Sequence, residues 1–202
     1  MSGEWEVRAF RFRYPLPTDD SRLTTHHSRF TIAHSPMNYF ELYGLPVSLQ
    51  PDPAKLRARF YELSRLYHPD FYGQSTEEEQ AEALEKSSQV NMALKVFQNP
   101  EATIKYVLQL KGLLEEEEKY QLSPDFLMEM MDLNEQAMDL SDQADKDRLT
   151  QTIQQLQTEI YEPVAKIVAD YQEGITTPEE LLQVKEYYFR KKYLDRLLAG
   201  LQ

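Results

Sequence analysis

The chain of 202 residues contains no cysteine, so it can hold neither a disulfide bond nor a thiolate metal site. It has no apolar run near the length of about 18 residues that a membrane-spanning helix needs, and no signal-peptide core is visible. Its six glycines are scattered, and none belongs to the glycine-rich loop with lysine that cradles nucleotide phosphates. These absences argue against a disulfide scaffold, a membrane protein and a nucleotide hydrolase.

Positive charge is also scarce. The chain has 22 Lys and Arg against 34 Asp and Glu, which gives a net charge of −12. Proteins that bind nucleic acids usually carry a basic surface, because they displace counterions from phosphates. An anionic membrane surface also attracts basic segments. We therefore expect neither nucleic acid nor membrane as a partner.

Residues 1–36 differ in composition from the rest of the chain. They contain five Arg, four acids and three of the four His, and no Lys. The arginines suggest an organelle transit peptide, but the four acids favour a flexible N-terminal extension instead. His26, His27 and His34 could bind a metal, but they lack a clear fourth ligand, so we expect solvated histidines and no metal site.

From Asn38 onward the pattern is helical, and residues 37–112 are predicted to form a first helical domain. A short helix ends at Gly44, and a second runs from about Pro53 to Tyr67 with a single apolar stripe. Pro69 ends that helix. Two more helices are predicted, over about 76–98 and 101–111. The stripe of the second helix comprises Leu56, Phe60, Leu63 and Tyr67.

Acidic residues 115–118 mark the best domain boundary, and we predict a solvated linker over 113–122. Three further helices are predicted, over about 124–144, over about 146–173, and from Thr177 to the end. Pro163 is expected to kink or split the middle one. Long antiparallel helices with short links are typical of a three-helix bundle, so the sequence predicts an all-α protein with this bundle at 123–202.

The tripeptide His68-Pro69-Asp70 lies between a basic amphipathic helix and a polar loop. Because proline fixes the backbone, an imidazole and a carboxylate are expected at an exposed corner, where they suit contact with another protein. A catalytic acid–base pair is the alternative, but no nucleophile or metal-ligand spacing accompanies it. We therefore expect that the chain is not an enzyme.

In this context the tripeptide resembles the signature of the J-domain in DnaJ-type co-chaperones. The segments Asn38–Pro46, Tyr106–Gly112 and Phe126–Glu129 are similar to those of the HscB family, as is the order of J-domain, acidic link and helical bundle. The resemblance covers about residues 37–202. One departure is Phe71, because J-domains commonly place lysine directly after the tripeptide.

The resemblance implies a co-chaperone of iron–sulfur cluster assembly that holds no cofactor. His68, Pro69 and Asp70 would stimulate the ATPase of a DnaK-type chaperone similar to HscA. Lys55, Arg59 and Arg65 would belong to a basic docking face. The protein would deliver the scaffold protein IscU for cluster transfer, in a bacterial cytoplasm or alternatively in a mitochondrial matrix.

The helix predicted from residue 124 carries two apolar lines. The first is an inner line, which comprises Phe126, Met130, Leu133, Ala137 and Leu140. The second contains Leu127 and Met131, with Met138 further on. A wide apolar face is ordinary in a bundle, so this line could be core or could pack on the first domain. It could also bind a partner, since methionine-rich patches adapt to different shapes. The resemblance implies that the scaffold-binding residues are Leu127, Met128, Met131 and Tyr193, with Lys192 nearby.

A J-protein for general polypeptide clients is the remaining alternative. General DnaJ proteins carry a Gly/Phe-rich linker and a cysteine-rich zinc module. Neither feature is present in this sequence, which favours a specialised client.

Overall fold

A computed structural model describes residues 37–201 of the protein. The predictions made for residues 1–36, a flexible extension with solvated histidines and no metal site, lie outside this range. The described residues are helical throughout, with no strand among them, so the predicted all-α class is confirmed. A 3₁₀ turn, Pro69–Tyr72, lies between the second and third helices. The helices are α1 Tyr39–Tyr43, α2 Pro53–Leu66, α3 Glu77–Gln98, α4 Pro100–Leu110, α5 Pro124–Met138, α6 Gln143–Ala169 and α7 Pro178–Gly200.

Side-chain caps fix where most of the helices begin. Asn38, Thr76 and Thr177 each form a reciprocal capping box with a glutamate three residues later. Gly44 ends α1 with φ of 60°, a left-handed conformation that glycine adopts without steric cost. The sequence predicted these signals because each depends only on residues a few positions apart.

Aromatic residues join α1 to α3 and α4. The rings of Phe40 and Phe97 lie 4.6 Å apart, and Tyr39 stacks on Tyr106 at 4.7 Å. The buried Tyr43 hydroxyl donates to the Val90 carbonyl at 2.8 Å, which satisfies a polar group inside the core. This packing fixes α1 across the α2–α3 hairpin and anchors the hairpin's base.

The helices of the C-terminal part differ in their bounds from the prediction. α5 ends at Met138 rather than near residue 144, because Asp142 is the N-cap of α6 and accepts from the Asp145 N–H at 2.9 Å. α6 then continues through Pro163 to Ala169 as one helix, so the predicted split does not occur. Pro163 and Glu159 both lie on the exposed side, where water can satisfy the carbonyl that proline leaves unpaired.

α6 and α7 run antiparallel along most of their lengths. Gln157 donates to Asp195 at 2.7 Å, and the rings of Tyr161 and Tyr187 lie 5.5 Å apart. A core that includes Phe126 of α5 joins α5 to both helices. The predicted three-helix bundle is therefore present. None of the helices in residues 37–201 combines the length and apolarity needed to cross a membrane.

A second core joins the bundle to the first four helices. It contains residues of α1 to α4 together with Val164 and Val168 of α6 and Val184 and Tyr188 of α7. At its rim, Lys191 of α7 lies 3.8 Å from Glu101 of α4. Burial raises the pKa of the Glu101 carboxyl. This second core thus joins the two halves of the described chain.

The acidic connection also packs against α7. Leu114 is buried, Glu118 pairs with Lys185 at 2.5 Å, and Tyr120 stacks on Phe189 at 4.5 Å. The hydrogen bond from Lys185 holds the pKa of the Glu118 carboxyl below its usual value. The three glutamates before Glu118 are exposed, as are Lys119 and Gln121. The predicted solvated linker is therefore solvated only in part, because charge alone does not reveal an ion-pair partner far along the chain.

Candidate functional site

The His68-Pro69-Asp70 corner lies where the α2–α3 hairpin turns. His68 is extended, with φ of −69° and ψ of 127°, as expected for a residue before proline. Pro69 then starts the 3₁₀ turn. The side chains of His68 and Asp70 are 53% and 86% exposed. The structure therefore presents both side chains to solvent, as the sequence predicted.

The imidazole of His68 is oriented by the backbone of its own turn. Its Nδ1 accepts from the Asp70 N–H at 3.3 Å. An accepting Nδ1 carries no proton, so the neutral ring carries its proton on Nε2 and offers it as a donor to another molecule. The Asp70 carboxylate lies 3.6 Å from Nδ1, too far for a good hydrogen bond. This geometry suits binding better than proton transfer.

Two contacts brace the corner from the flanking elements. The Tyr72 hydroxyl donates to the Leu66 carbonyl at 3.1 Å, which ties the 3₁₀ turn to the end of α2. Lys86 of α3 lies 5.5 Å from the centre of the Tyr67 ring, in cation–π contact. Its side-chain hydrogen bond to Glu82 raises the pKa of Lys86. The corner is thus held in place although its own side chains are exposed.

The predicted docking residues on α2 have different surroundings. Lys55 and Arg65 are exposed, whereas Arg59 is half-buried and turned toward α1. The Arg59 Nε donates to the Tyr43 carbonyl at 2.7 Å, and its guanidinium pairs with Glu62. Arg59 therefore caps the end of α1, while its side chain stays 40% exposed, so its place in the basic docking face remains a prediction.

Two further exposed residues of α2, Arg57 and Tyr61, were not among the predicted docking residues. Arg57 and Tyr61 precede Arg65 at intervals of four residues, so all three lie along one side of α2. Lys55 lies about 80° from Arg65 around the helix axis. The four-residue spacing was visible in the sequence, but the exposure of Tyr61 was not, because an aromatic residue on an amphipathic helix is more often buried.

Arg59→Ala tests the structural assignment of that residue. We expect the free energy of unfolding to fall by about 1–2 kcal/mol, because the Tyr43 carbonyl loses a charged donor. Urea denaturation followed by circular dichroism measures this change. Lys55→Ala is the matched control on the same helix and should change stability by less than about 0.5 kcal/mol. Equal stability of the two variants would contradict the capping role of Arg59.

The two apolar lines of α5 separate clearly in the structure. Phe126, Met130 and Leu133 are buried in the bundle core. Leu127 and Met131 are 40% and 69% exposed. The alternative in which the second line is core is therefore excluded for these two residues.

The other predicted scaffold-binding residues lie on α5 and α7. Met128 is 58% exposed. Tyr193 is half-buried, and its ring lies edge-on to Phe126 at 6.3 Å. Lys192 is exposed, with its amine 5.9 Å from the Tyr188 ring centre. Tyr193 therefore contacts α5 through the buried Phe126.

Comparisons with known proteins identify the family. A family model described as the HSCB C-terminal oligomerisation domain matches residues 122–202. The co-chaperone protein HscB homolog of Vibrio campbellii is 36% identical over 110 residues, which are 54% of this chain and 64% of that protein. The match thus spans less than two thirds of this relative. The homolog of Aliivibrio salmonicida is 32% identical over 149 residues, 65% of this chain and 87% of that protein.

The fold comparison agrees with the sequence comparison. The crystal structure of the human co-chaperone protein HscB matches with a TM-score of 0.68 and 26% identity, over 83% of this chain and 81% of that one. The similarity therefore includes the helices on both sides of the acidic connection. Sequence and fold together show that this chain belongs to the HscB family of co-chaperones.

Proposed function

We propose that this protein is the J-protein of an iron–sulfur cluster assembly system. It stimulates the ATPase of a DnaK-type chaperone similar to HscA and delivers to it a scaffold protein similar to IscU. The observation that carries the proposal is the braced, solvent-exposed corner at His68 and Asp70, in a chain of the HscB family. Since the curated relatives compared above are bacterial, we place this activity in a bacterial cytoplasm.

The corner makes and breaks no covalent bond in this mechanism. The His68 Nε2–H and the Asp70 carboxylate bind the ATP-bound chaperone better in one conformation than in another. A difference in binding free energy of about 3 kcal/mol shifts a two-state equilibrium roughly 150-fold, which is enough to raise hydrolysis strongly. The bracing by Tyr72 and Lys86 supports this function, because a rigid corner loses little conformational entropy on binding.

Charge on α2 supports the choice of partner. Arg57, Arg65 and Lys55 are exposed on a helix of an otherwise acidic protein. Like charges elsewhere on the molecule repel an acidic chaperone surface, so that surface meets the molecule preferentially at α2. Such complementarity accelerates and orients the encounter more than it adds affinity.

The exposed α5 face supports the choice of client. Leu127, Met128 and Met131 present apolar side chains to solvent on successive turns of one helix. Unbranched methionine side chains adapt to a partner's surface, and burial of each apolar group contributes to affinity. We assign this face, together with Lys192 and Tyr193 on α7, to the scaffold protein.

The double variant Leu127→Ala/Met131→Ala tests this assignment. We expect the dissociation constant for the scaffold protein to rise at least tenfold, because two apolar contacts are lost and each is worth about 1 kcal/mol. Titration calorimetry with purified IscU measures the change. Tyr193 is left unchanged, because truncating a half-buried ring would also disturb the bundle core.

Met138→Ala is the matched control, since Met138 is exposed on the same helix beyond the assigned face. It should bind the scaffold as the wild type does. The double variant should still stimulate the chaperone when no scaffold is present. Unchanged affinity of the double variant would refute the client assignment without affecting the role of the corner.

Steady-state ATP turnover tests the function as a whole. A purified HscA-type chaperone is titrated with the full-length protein, with and without IscU. We expect this protein to raise turnover and IscU to raise it further. If an unfolded polypeptide replaces IscU with equal effect, the client is general, and if turnover never rises, the proposed function is wrong.

A further inference from the structure

Phe71 is an exposed aromatic residue at the centre of the proposed chaperone site. It directly follows Asp70 and is 67% exposed. An isolated exposed hydrophobic residue needs no explanation. Phe71 differs from such a residue, because it directly adjoins the His68-Pro69-Asp70 corner. It also occupies the position where J-domains commonly carry lysine, so an apolar ring replaces a charge there.

The geometry makes Phe71 part of the same rigid surface as His68. Its N–H donates to the His68 carbonyl at 3.0 Å, which closes the 3₁₀ turn. Its ring lies 6.0 Å from the imidazole, centre to centre, with the two planes at 67°. A partner that contacts His68 therefore also meets the Phe71 ring.

We infer that Phe71 determines which DnaK-type chaperone this protein recognises. It acts as an apolar anchor that enters an apolar depression beside the acidic surface of the cognate partner. The inference rests on the proposed function and extends it, because it concerns the choice among chaperones rather than the ability to stimulate one.

Two physical arguments support this role. Aromatic anchors in the middle of an interface contribute much of the binding energy, since they bury large area at the expense of few rotatable bonds. Specificity also needs a feature that disfavours the wrong partner. A chaperone surface built to pair with lysine would have to bury a carboxylate against the Phe71 ring, which costs free energy.

The test compares two chaperones, the HscA-type partner and a general DnaK from the same organism, by steady-state ATP turnover. We expect Phe71→Ala to raise the concentration needed for half-maximal stimulation of the HscA-type partner about tenfold. The maximal rate should stay near that of the wild type. Phe71→Lys should weaken stimulation of the HscA-type partner and strengthen stimulation of the general DnaK, changing their ratio by about tenfold.

Ile175→Ala is the matched control, since Ile175 is 71% exposed and lies between α6 and α7. It should leave both titrations unchanged. If the wild type stimulates the HscA-type partner and both Phe71 variants match it in half-maximal concentration and in ratio, this inference alone is overturned. If the wild type stimulates neither chaperone, the proposed function fails, and the inference fails with it.

Discussion

His68→Gln is expected to reduce stimulation of the partner's ATPase to near its basal rate, a loss on the order of 10- to 100-fold. Glutamine retains a polar end, but it lacks the planar ring whose Nδ1 is held by the Asp70 N–H and whose Nε2–H would donate to the proposed partner. Its flexible side chain cannot maintain that orientation. Single-turnover and steady-state ATP hydrolysis by the HscA-type chaperone measure the loss.

The variant should keep its fold, because His68 is largely exposed and contributes no core contact. Thermal melting followed by circular dichroism checks this point. Asp70→Asn should give a similar loss of stimulation, since it removes the charge beside the imidazole. Asp139→Asn, at an exposed aspartate after α5, is the matched control and should stimulate normally. Stimulation by His68→Gln equal to that of the wild type would disprove the role of the corner.

Phe40→Ala is expected to lower the free energy of unfolding by about 3–5 kcal/mol. Phe40 is 1% exposed and packs against Phe97 in the core that α6 and α7 also enter. Removing its ring leaves a cavity that the surrounding helices cannot fill completely. Urea denaturation followed by circular dichroism at 222 nm, a wavelength that reports on every helix, measures the change.

The same experiment tests whether the described chain unfolds as one unit. Because α6 and α7 contribute residues to the same core as Phe40, the transition of the C-terminal helices should move to lower urea together with that of α1 to α4. Phe71→Ala is the matched control, an exposed phenylalanine whose loss should change stability by less than about 0.5 kcal/mol. Two separate transitions, with only one shifted by Phe40→Ala, would show that the shared core does not couple the two halves.

Local patterns were sufficient to predict the helices and the corner. The buried residues Leu56 and Leu63 of α2 lie on the stripe that the periodicity indicated. The corner followed from Pro69 alone, because proline restricts both its own backbone and that of the residue before it. Such features depend on residues within one or two helical turns, so the order of residues is enough to specify them.

The two lines of α5 show where sequence reasoning reached its limit. The spacing separated the inner line of Phe126 and Met130 from Leu127 and Met131, but it could not say whether this second line was also covered. Only the positions of α6 and α7 decide this, since they cover the first line and leave the second in solvent.

By itself, the sequence determined the all-α class, most of the helix starts and the exposed His68-Pro69-Asp70 turn. Only the tertiary structure decided that Arg59 caps α1, that the acidic connection docks through Glu118 on Lys185, and that both halves share a core. The reason is physical. A cap or a turn is stabilised by neighbours in the chain, whereas an ion pair or a shared core depends on which distant surfaces come into contact when the helices pack.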